Sequence, residues 1–550
     1  MRITKGTTFL AISVLLPAML CTAAVGTIIY VDDDAAGAND GSIWADAYPC
    51  IQNALADAVY GDEIRVAKGI YQPDKQFLIG RIARIVASGD RTKSFQLING
   101  VTLKGGYAGL DEPYPNARDV GVYETILSGD LNGDDVEVAD PCDLPHEPSR
   151  AENSFHVVNG VGASASAVLD GFTITGGHAN GSPPYNGGGG MVGGSPTVIN
   201  CTFTQNWGDG GGAILSSASS STISNCTFSS NSAPRGGGIW NLSGSLTLIN
   251  CAFTGNSAPL GGGMYNSMDR GSTLVNCTFS DNSAETGGGM RNEQSNVELT
   301  NCIFSDNSAT YHGGGMYNNR SNPVLSNCIL EGNSSGYGGG MHNNNSSPTL
   351  LQCMFTKNFA GIGSAISHYK GSPVVMNCTF SGNVAEYGGE IHCRDGSPVL
   401  TNCILWGDTP EEISVERGTV VITYSNVQGD YPGEGNFDED PLFADPNNGD
   451  YHLKSQAGRY DPNTKTWIKD EVTSPCIDTG NPMSPIGHEP FPNGGIVNIG
   501  AYGGTAEAGK SYFGKPVCET IVAGDINGDC KVDFSDFAIM ALHWLEDNNP

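Results

Sequence analysis

The sequence predicts an all-β fold, a parallel β-helix solenoid with about 25 residues per coil, and three observations carry this prediction. One cysteine recurs every 25 or 26 residues through the middle of the 550-residue chain. Apolar residues alternate with period two within a repeat, as at Leu246 and Leu248, which indicates strands and not helices. A glycine run ends most repeats. The cysteine column comprises Cys201, Cys226, Cys251, Cys277, Cys302, Cys328, Cys353, Cys378 and Cys403.

Two kinds of corner are predicted within a coil. Leu248 and Cys251 are three residues apart, which interrupts the period of two and marks a turn of the chain. Asn250 lies at this turn because asparagine tolerates the left-handed backbone conformation. The run from Gly261 to Gly263 marks a further corner, since glycine adopts positive φ without steric cost. We therefore expect three short strands and three corners per coil. The cysteines are expected to form a buried ladder, with their pairing as disulfides left open.

The repeats also carry a resemblance to a known family. The paired elements F-x-x-N and G-G-[AG]-[IM], as at Phe253 to Asn256 and Gly261 to Met264, resemble the repeats of polymorphic outer-membrane proteins. That resemblance covers about 220 residues, and it implies a right-handed β-helix related in fold to pectate lyases. It further implies surface display and adhesion, on a fold that also supports polysaccharide lyases and hydrolases.

The N-terminal segment and the net charge of the chain predict the location of the protein and exclude some classes of partner. Arg2 and Lys5 precede an apolar run from Phe9 to Leu20, so residues 1–24 are interpreted as a secretory signal peptide, with lipidation of Cys21 as an alternative. No other segment is long and apolar enough to cross a membrane. The net charge of -31 argues against nucleic acid and anionic membranes as partners. We expect a secreted protein, extracellular or on the cell surface.

The remaining chain divides into four predicted regions. Residues 25–150 form an N-terminal cap and the first coils, and residues 151–406 form the regular coils. Residues 407–513 form C-terminal coils and a loop-rich cap, within which 422–501 resembles the choice-of-anchor type of module on secreted β-helix proteins. Residues 514–550 form a dockerin-like calcium-binding element.

The sharpest predicted metal site lies in that last region. The segment DINGDCKVDFSD has oxygen ligands at the spacing of an EF-hand loop, followed by an apolar helical face. It is similar to half of a type I dockerin, which implies Ca²⁺ and a cohesin-like or cell-surface scaffold as partner, although Cys530 replaces the usual glycine. The alternative is a calcium-fastened helix that packs on its own chain. The predicted ligands are Asp525, Asn527, Asp529, Lys531, Asp533 and Asp536.

One column of residues is a candidate ligand-binding surface. If the residue after each glycine run points inward, its successor points outward on the same strand. Aromatic, arginine and histidine side chains stacked along a rod suit sugar rings or a partner protein; a variable exposed face without a ligand is the alternative. The candidates are Trp240, Tyr265, Arg291, Tyr317, His342 and His392.

No catalytic constellation is visible in the sequence. A glycoside hydrolase needs two facing carboxylates, and the charged residues of the repeats, among them Arg291 and Glu390, fall at scattered coil positions and are interpreted as solvated. We predict a β-helix protein that acts in adhesion or in glycan or partner binding, with calcium-dependent C-terminal attachment. The alternatives are an extracellular polysaccharide lyase or glycoside hydrolase, and a structural spacer.

Overall fold

The computed structural model describes residues 26–78 and 84–512, together with positions 532 and 537. The predicted signal peptide and the predicted calcium ligands lie outside the described residues. Within them the chain winds into a parallel β-solenoid whose coils stack strand upon strand. None of the helices in these ranges has the length and apolar character needed to cross a bilayer.

Four parallel sheets form the sides of the solenoid over the described ranges. Sheet 1 contains Ile28–Val31, Glu63–Ala67, Thr102–Tyr107, Val168–Asp170, Thr197–Ile199, Thr222–Ser224, Thr247–Ile249, Thr273–Val275, Glu298–Thr300, Val324–Ser326, Thr349–Leu351, Val374–Met376, Val399–Thr401 and Val421–Thr423. Sheet 2 contains Gly69–Tyr71, Thr125–Ser128, Thr173–Thr175, Thr202–Thr204, Thr227–Ser229, Ala252–Thr254, Thr278–Ser280, Ile303–Ser305, Ile329–Glu331, Met354–Thr356, Thr379–Ser381, Ile404–Trp406 and Asn426–Val427. Sheet 3 contains Ser257–Leu260, Ser283–Thr286, Ser308–His312, Ser334–Tyr337, Phe359–Ile362 and Val384–Tyr387. Sheet 4 contains Phe95–Gln96, Val158–Asn159, Met191–Val192, Ile214–Ser217, Ile239–Leu242, Met264–Ser267, Met290–Glu293, Met316–Asn319, Met341–Asn344, Ile366–Gly371, Ile391–Gly396 and Ile413–Gly418.

The other elements are short and lie at the ends and edges. The helices are Trp44–Asp46, Ile51–Asp57, Pro141–His146, Pro148–Arg150 and Pro446–Asn448. The two-stranded pairs are Lys75–Leu78 with Arg84–Ala87, His178–Ala179 with Trp207–Gly208, Phe443–Asp445 with Asp450–Leu453, and Arg459–Asp461 with Thr466–Ile468.

Sheet 3 corrects the prediction of three strands per coil. In the central coils a fourth strand, such as Ser257–Leu260, runs between sheet 2 and the glycine corner. The second residue of this strand is a small alanine, which is buried at Ala258 and half-buried at Ala284 in the next coil, and the two alanines pair in register. A single methyl group per strand leaves almost no hydrophobic alternation, which is the signal on which strand prediction depends.

The two predicted corners are confirmed. Asn250 has φ 53° and Gly261 has φ 68°, so both adopt the left-handed conformation that the sequence pattern required. The exception to the asparagine corner is Gln352, at φ 54°. Its longer side chain reaches out of the solenoid, and its Nε2 donates to the Gly503 carbonyl oxygen at 3.0 Å.

Apolar columns fill the interior. Phenylalanine rings stack from coil to coil, as between Phe253 and Phe279 with centroids 4.5 Å apart and planes 3° apart. All thirteen cysteines within the described ranges are thiols, and the predicted buried cysteine ladder is confirmed. Burial raises the pKa of Cys226 well above its usual value, so this thiol stays protonated.

Two buried asparagine ladders run beside these columns. Each amide group donates to the next asparagine along the solenoid, as Asn282 Nδ2 does to Asn307 Oδ1 at 2.9 Å. The first ladder comprises Asn206, Asn231, Asn256, Asn282, Asn307, Asn333, Asn358 and Asn383. The second ladder comprises Asn241, Asn266, Asn292, Asn318 and Asn343.

The ends of the solenoid are covered differently. At the N-terminal end the helix Ile51–Asp57 buries Ile51, Ala54 and Leu55 against the first coils, as a cap should. The C-terminal segment after residue 430 was expected to close the other end, but much of it packs along the side of the solenoid. There Phe443 and Tyr451 cover Ile404 of sheet 2.

We predict that removing one amide from the first ladder destabilises the protein. Asn307 is fully buried, donates to Phe279 O and Asn333 Oδ1, and accepts from Asn282, so Asn307→Ala leaves several buried groups without partners. The free energy of unfolding, measured with urea, should fall by roughly 3 kcal/mol.

The matched control for this variant is Asn301→Gly. Asn301 is an exposed corner residue with φ 54°, a conformation that glycine adopts freely. The control should change the free energy of unfolding by less than about 1 kcal/mol. Equal losses for both variants would contradict the stabilising role of the ladder.

Candidate functional site

A groove crosses the coils between sheets 3 and 4. One side is formed by the last residues of the sheet 3 strands, and the other by the second residues of the sheet 4 strands. Between them the chain turns on glycines such as Gly287, at φ 68°. A Cβ atom there would lie 2.5 Å from the Met290 carbonyl oxygen and 2.9 Å from Arg291 Cβ. Glycine at this corner therefore lets the two columns come together.

The predicted ligand-binding column lies on the sheet 4 side of the groove. Strand pairing places its members in one row in register, in the order Trp240, Tyr265, Arg291, Tyr317, His342, Ser367 and His392. The row is less accessible than a display surface requires, because Tyr265, Tyr317 and His342 are each only 7% exposed.

The exposed aromatic rings of the groove come instead from sheet 3. Tyr337 is 43% exposed and Tyr387 is 70% exposed, while Tyr311 lies nearby at 55%. These residues lie in strands that the hydrophobic pattern does not predict. A signal was present, because each tyrosine comes shortly before a glycine corner and two residues after a small residue of the same strand.

The first half of the groove is filled by its own side chains. The Arg291 guanidinium lies 5.7 Å from the ring centroid of Tyr265 and 4.7 Å from that of Tyr317. It also donates to Glu293 Oε2 at 2.9 Å. Trp240 is covered in the same way by Arg235, at 5.4 Å. These cation–π contacts leave little aromatic surface for a ligand.

The second half of the groove opens into a cavity of about 650 Å³. Its aromatic and histidine lining comprises His312, Tyr317, Tyr337, His342, His368, Tyr369, Tyr387 and His392. The charged lining residues are Arg394 and Glu416, which form an ion pair at 3.2 Å. The cavity wall is therefore rich in rings and carries no net charge when the histidines are neutral.

Burial keeps these histidines neutral. It lowers the pKa of His342 well below its usual value, and lowers the pKa of His368 to about 3, with the nearby histidines adding to the effect. The rings of His312 and His342 stack with centroids 4.7 Å apart. The Nδ1 atoms of His312, His342, His368 and His392 are all buried without a hydrogen-bond partner.

His368 stands at the end of the second asparagine ladder. It follows Asn343 in the register of sheet 4, and the Asn343 Nδ2 group has no hydrogen-bond partner. The interior thus carries an unsatisfied donor and an unsatisfied imidazole at the base of the cavity. Groups of this kind in a native protein call for a functional explanation.

Two charged residues predicted to be solvated are not. Glu390 is fully buried, and Arg291 is largely buried and is held by Glu293. The predicted calcium ligands from Asp525 to Asp536 lie outside the described residues.

Comparisons with known proteins agree with this architecture. A family model described as a right handed beta helix region matches residues 148–279 and 243–405. The predicted right-handed parallel β-helix is confirmed. A second model, described as disaggregatase related, matches residues 420–480, within the C-terminal segment. No curated protein matches the chain.

Solved structures resemble this β-helix weakly. The crystal structure of pectate lyase Pel9A has 12% identity and a TM-score of 0.34, covering 87% of this chain and 96% of that one. The complex of XylC with xylose has 11% identity and a TM-score of 0.36, covering 76% and 87%. Likeness at this level says nothing about a shared site or activity.

We predict that His368→Asn makes stability less dependent on pH. The unfolded histidine takes up a proton as pH falls through about 6.5, whereas folded His368 stays neutral down to about pH 3. The unfolded state therefore binds more protons, and acid destabilises the fold. Between about pH 7 and about pH 5 the variant should lose about 2 kcal/mol less stability than the wild type.

The measurement is urea unfolding at both pH values. The control is His146→Asn, because His146 is exposed on the helix Pro141–His146 and should leave the pH dependence unchanged. If the stability of the wild type and of His368→Asn depended on pH in the same way, burial would not lower the pKa of His368 in the folded protein.

Proposed function

We propose that this chain is a secreted β-helix protein that binds an uncharged, hydroxyl-rich polysaccharide in the cavity between sheets 3 and 4. The observation that carries the proposal is the combination of exposed tyrosine rings with neutral histidines in one elongated groove. Flat rings stack on the apolar faces of sugars, and neutral imidazoles both donate to and accept from hydroxyl groups.

Charge favours an uncharged ligand over a polyuronate. The chain carries a net charge of -31, and the single arginine of the cavity wall is already paired with Glu416. An anionic chain would therefore meet a repulsive surface with no free cation in the cavity lining to hold it.

Binding is favoured over cleavage by the same lining. Hydrolysis of a glycosidic bond requires two carboxyl groups that flank it. Among the residues that line the cavity, Glu416 supplies the one carboxyl group. The binding assays should also measure the release of new polysaccharide chain ends, because such products would show that the function is catalysis and not binding alone.

We predict that Tyr337→Ala combined with Tyr387→Ala weakens glycan binding. Both rings are exposed at the cavity edge, so their removal takes away stacking surface without opening the core. Affinity for xylan or galactomannan, measured by affinity electrophoresis, should fall by at least about tenfold.

The control is Tyr114→Ala, which removes a tyrosine that is 80% exposed and is not part of the cavity lining. It should bind like the wild type. Stronger retention on polygalacturonate than on the neutral polysaccharides would contradict the proposed ligand class. Release of reducing or unsaturated ends would identify an enzyme.

The proposal includes surface attachment through a calcium loop at residues 525–536, which rests on the sequence alone. We predict that Asp525→Asn with Asp536→Asn removes about one equivalent of bound calcium from the full chain, measured by titration calorimetry. Asp438→Asn with Asp440→Asn, two exposed acids of the C-terminal segment, is the control and should change nothing. Unaltered calcium binding in the loop variant would exclude the loop as a site.

A further inference from the structure

The first asparagine ladder ends in buried carboxylates. Asn383 is its last asparagine, and Asp408 occupies the next position in the same column. The Asn383 Nδ2 group donates to Asp408 Oδ1 at 3.0 Å and to Glu390 Oε1 at 2.9 Å. The ladder therefore passes from amides to two acids inside the solenoid.

Glu390 reaches this point from the glycine corner. It occupies the last corner position, which in earlier coils is a glycine such as Gly289. A Cβ atom on Gly289 would meet the ring of Phe304 at 2.8 Å, so a side chain at this position points into the core. Glu412 occupies the equivalent position one coil further, since the strands that follow both residues pair in register.

Three acids thus converge below the surface. Glu390, Asp408 and Glu412 each place a carboxylate oxygen within 4.8 Å of the others, and the residues are 0%, 8% and 6% exposed. Each acid also has one oxygen that is buried without a hydrogen-bond partner, namely Glu390 Oε2, Asp408 Oδ2 and Glu412 Oε2. The pKa values of the three acids are shifted chiefly by burial, by one another and by hydrogen bonds.

Such a cluster needs positive charge. Three buried carboxylates this close are strongly destabilising as free anions, because each loses its hydration and repels the others. Unpartnered carboxylate oxygens are the ligands that hard divalent cations prefer. We propose that Glu390, Asp408 and Glu412 bind a divalent cation of the Ca²⁺ type inside the solenoid, at the end of the first asparagine ladder.

Protons are the competitors of this cation. Burial raises the pKa of Glu412 to about 8, with Asp408 adding to the effect, and raises the pKa of Glu390 well above its usual range. Without the metal the cluster is held together by bound protons, and the metal displaces them when it binds.

The test uses the full chain with the C-terminal loop inactivated by Asp525→Asn and Asp536→Asn, so that the two proposed calcium sites are counted separately. After equilibration with about 1 mM calcium and gel filtration, this protein should retain about one equivalent of calcium by elemental analysis. Calcium should also raise its Tm relative to the protein treated with a chelator. Adding Glu390→Gln and Asp408→Asn should abolish both effects.

The matched control is Glu489→Gln, which neutralises another buried acid with an unpartnered oxygen that belongs to no cluster of three possible metal ligands in the described part of the chain. It should keep both the bound calcium and the Tm increase. The loop-inactivated protein is itself decisive if the core variant does not fold. No retained calcium and no change of Tm in that protein would overturn the proposal.

Discussion

Register between successive coils is the constraint on which the rest of this structure depends. Parallel strands lie about 4.8 Å apart, so each inward position becomes a column of the same residue type. An asparagine column is satisfied because every amide both donates and accepts, as between Asn282 and Asn307. A coil that slipped by one residue would bury its polar face and break the ladder, so the amides determine the alignment of the whole solenoid.

Each of the two asparagine ladders ends at an ionisable side chain. The second ladder passes from Asn343 to His368 below the cavity, and the first passes from Asn383 to Asp408. The last amide of the first ladder donates to carboxylates, whereas the Asn343 Nδ2 group of the second ladder has no hydrogen-bond partner. These two ladder ends therefore place ionisable side chains inside the solenoid.

The lining of the cavity differs in charge from the rest of the protein. The chain is strongly acidic, yet the lining combines tyrosines and neutral histidines with one internally paired arginine. The glycine corner makes this possible, because only a residue without a side chain lets the rings of sheets 3 and 4 approach each other. On the sheet 4 side, Arg291 packs on the ring of Tyr317 and covers part of the aromatic surface. The exposed rings lie on the sheet 3 side of the groove.

The sequence alone determined the repeat length, the cysteine and phenylalanine columns, the left-handed corners at Asn250 and Gly261, and the solenoid itself. These features are local or strictly periodic, so the pattern of one coil predicts the next. Only the tertiary structure revealed the fourth strand, whose small residues leave no hydrophobic signal, and with it Tyr337 and Tyr387. Only the tertiary structure also brought Glu390, Asp408 and Glu412 together. Glu412 joins the other two acids through the final coil, from Ile391 to Ile413, which is shorter than the coil before it, and a departure from a period cannot be located in space by the period.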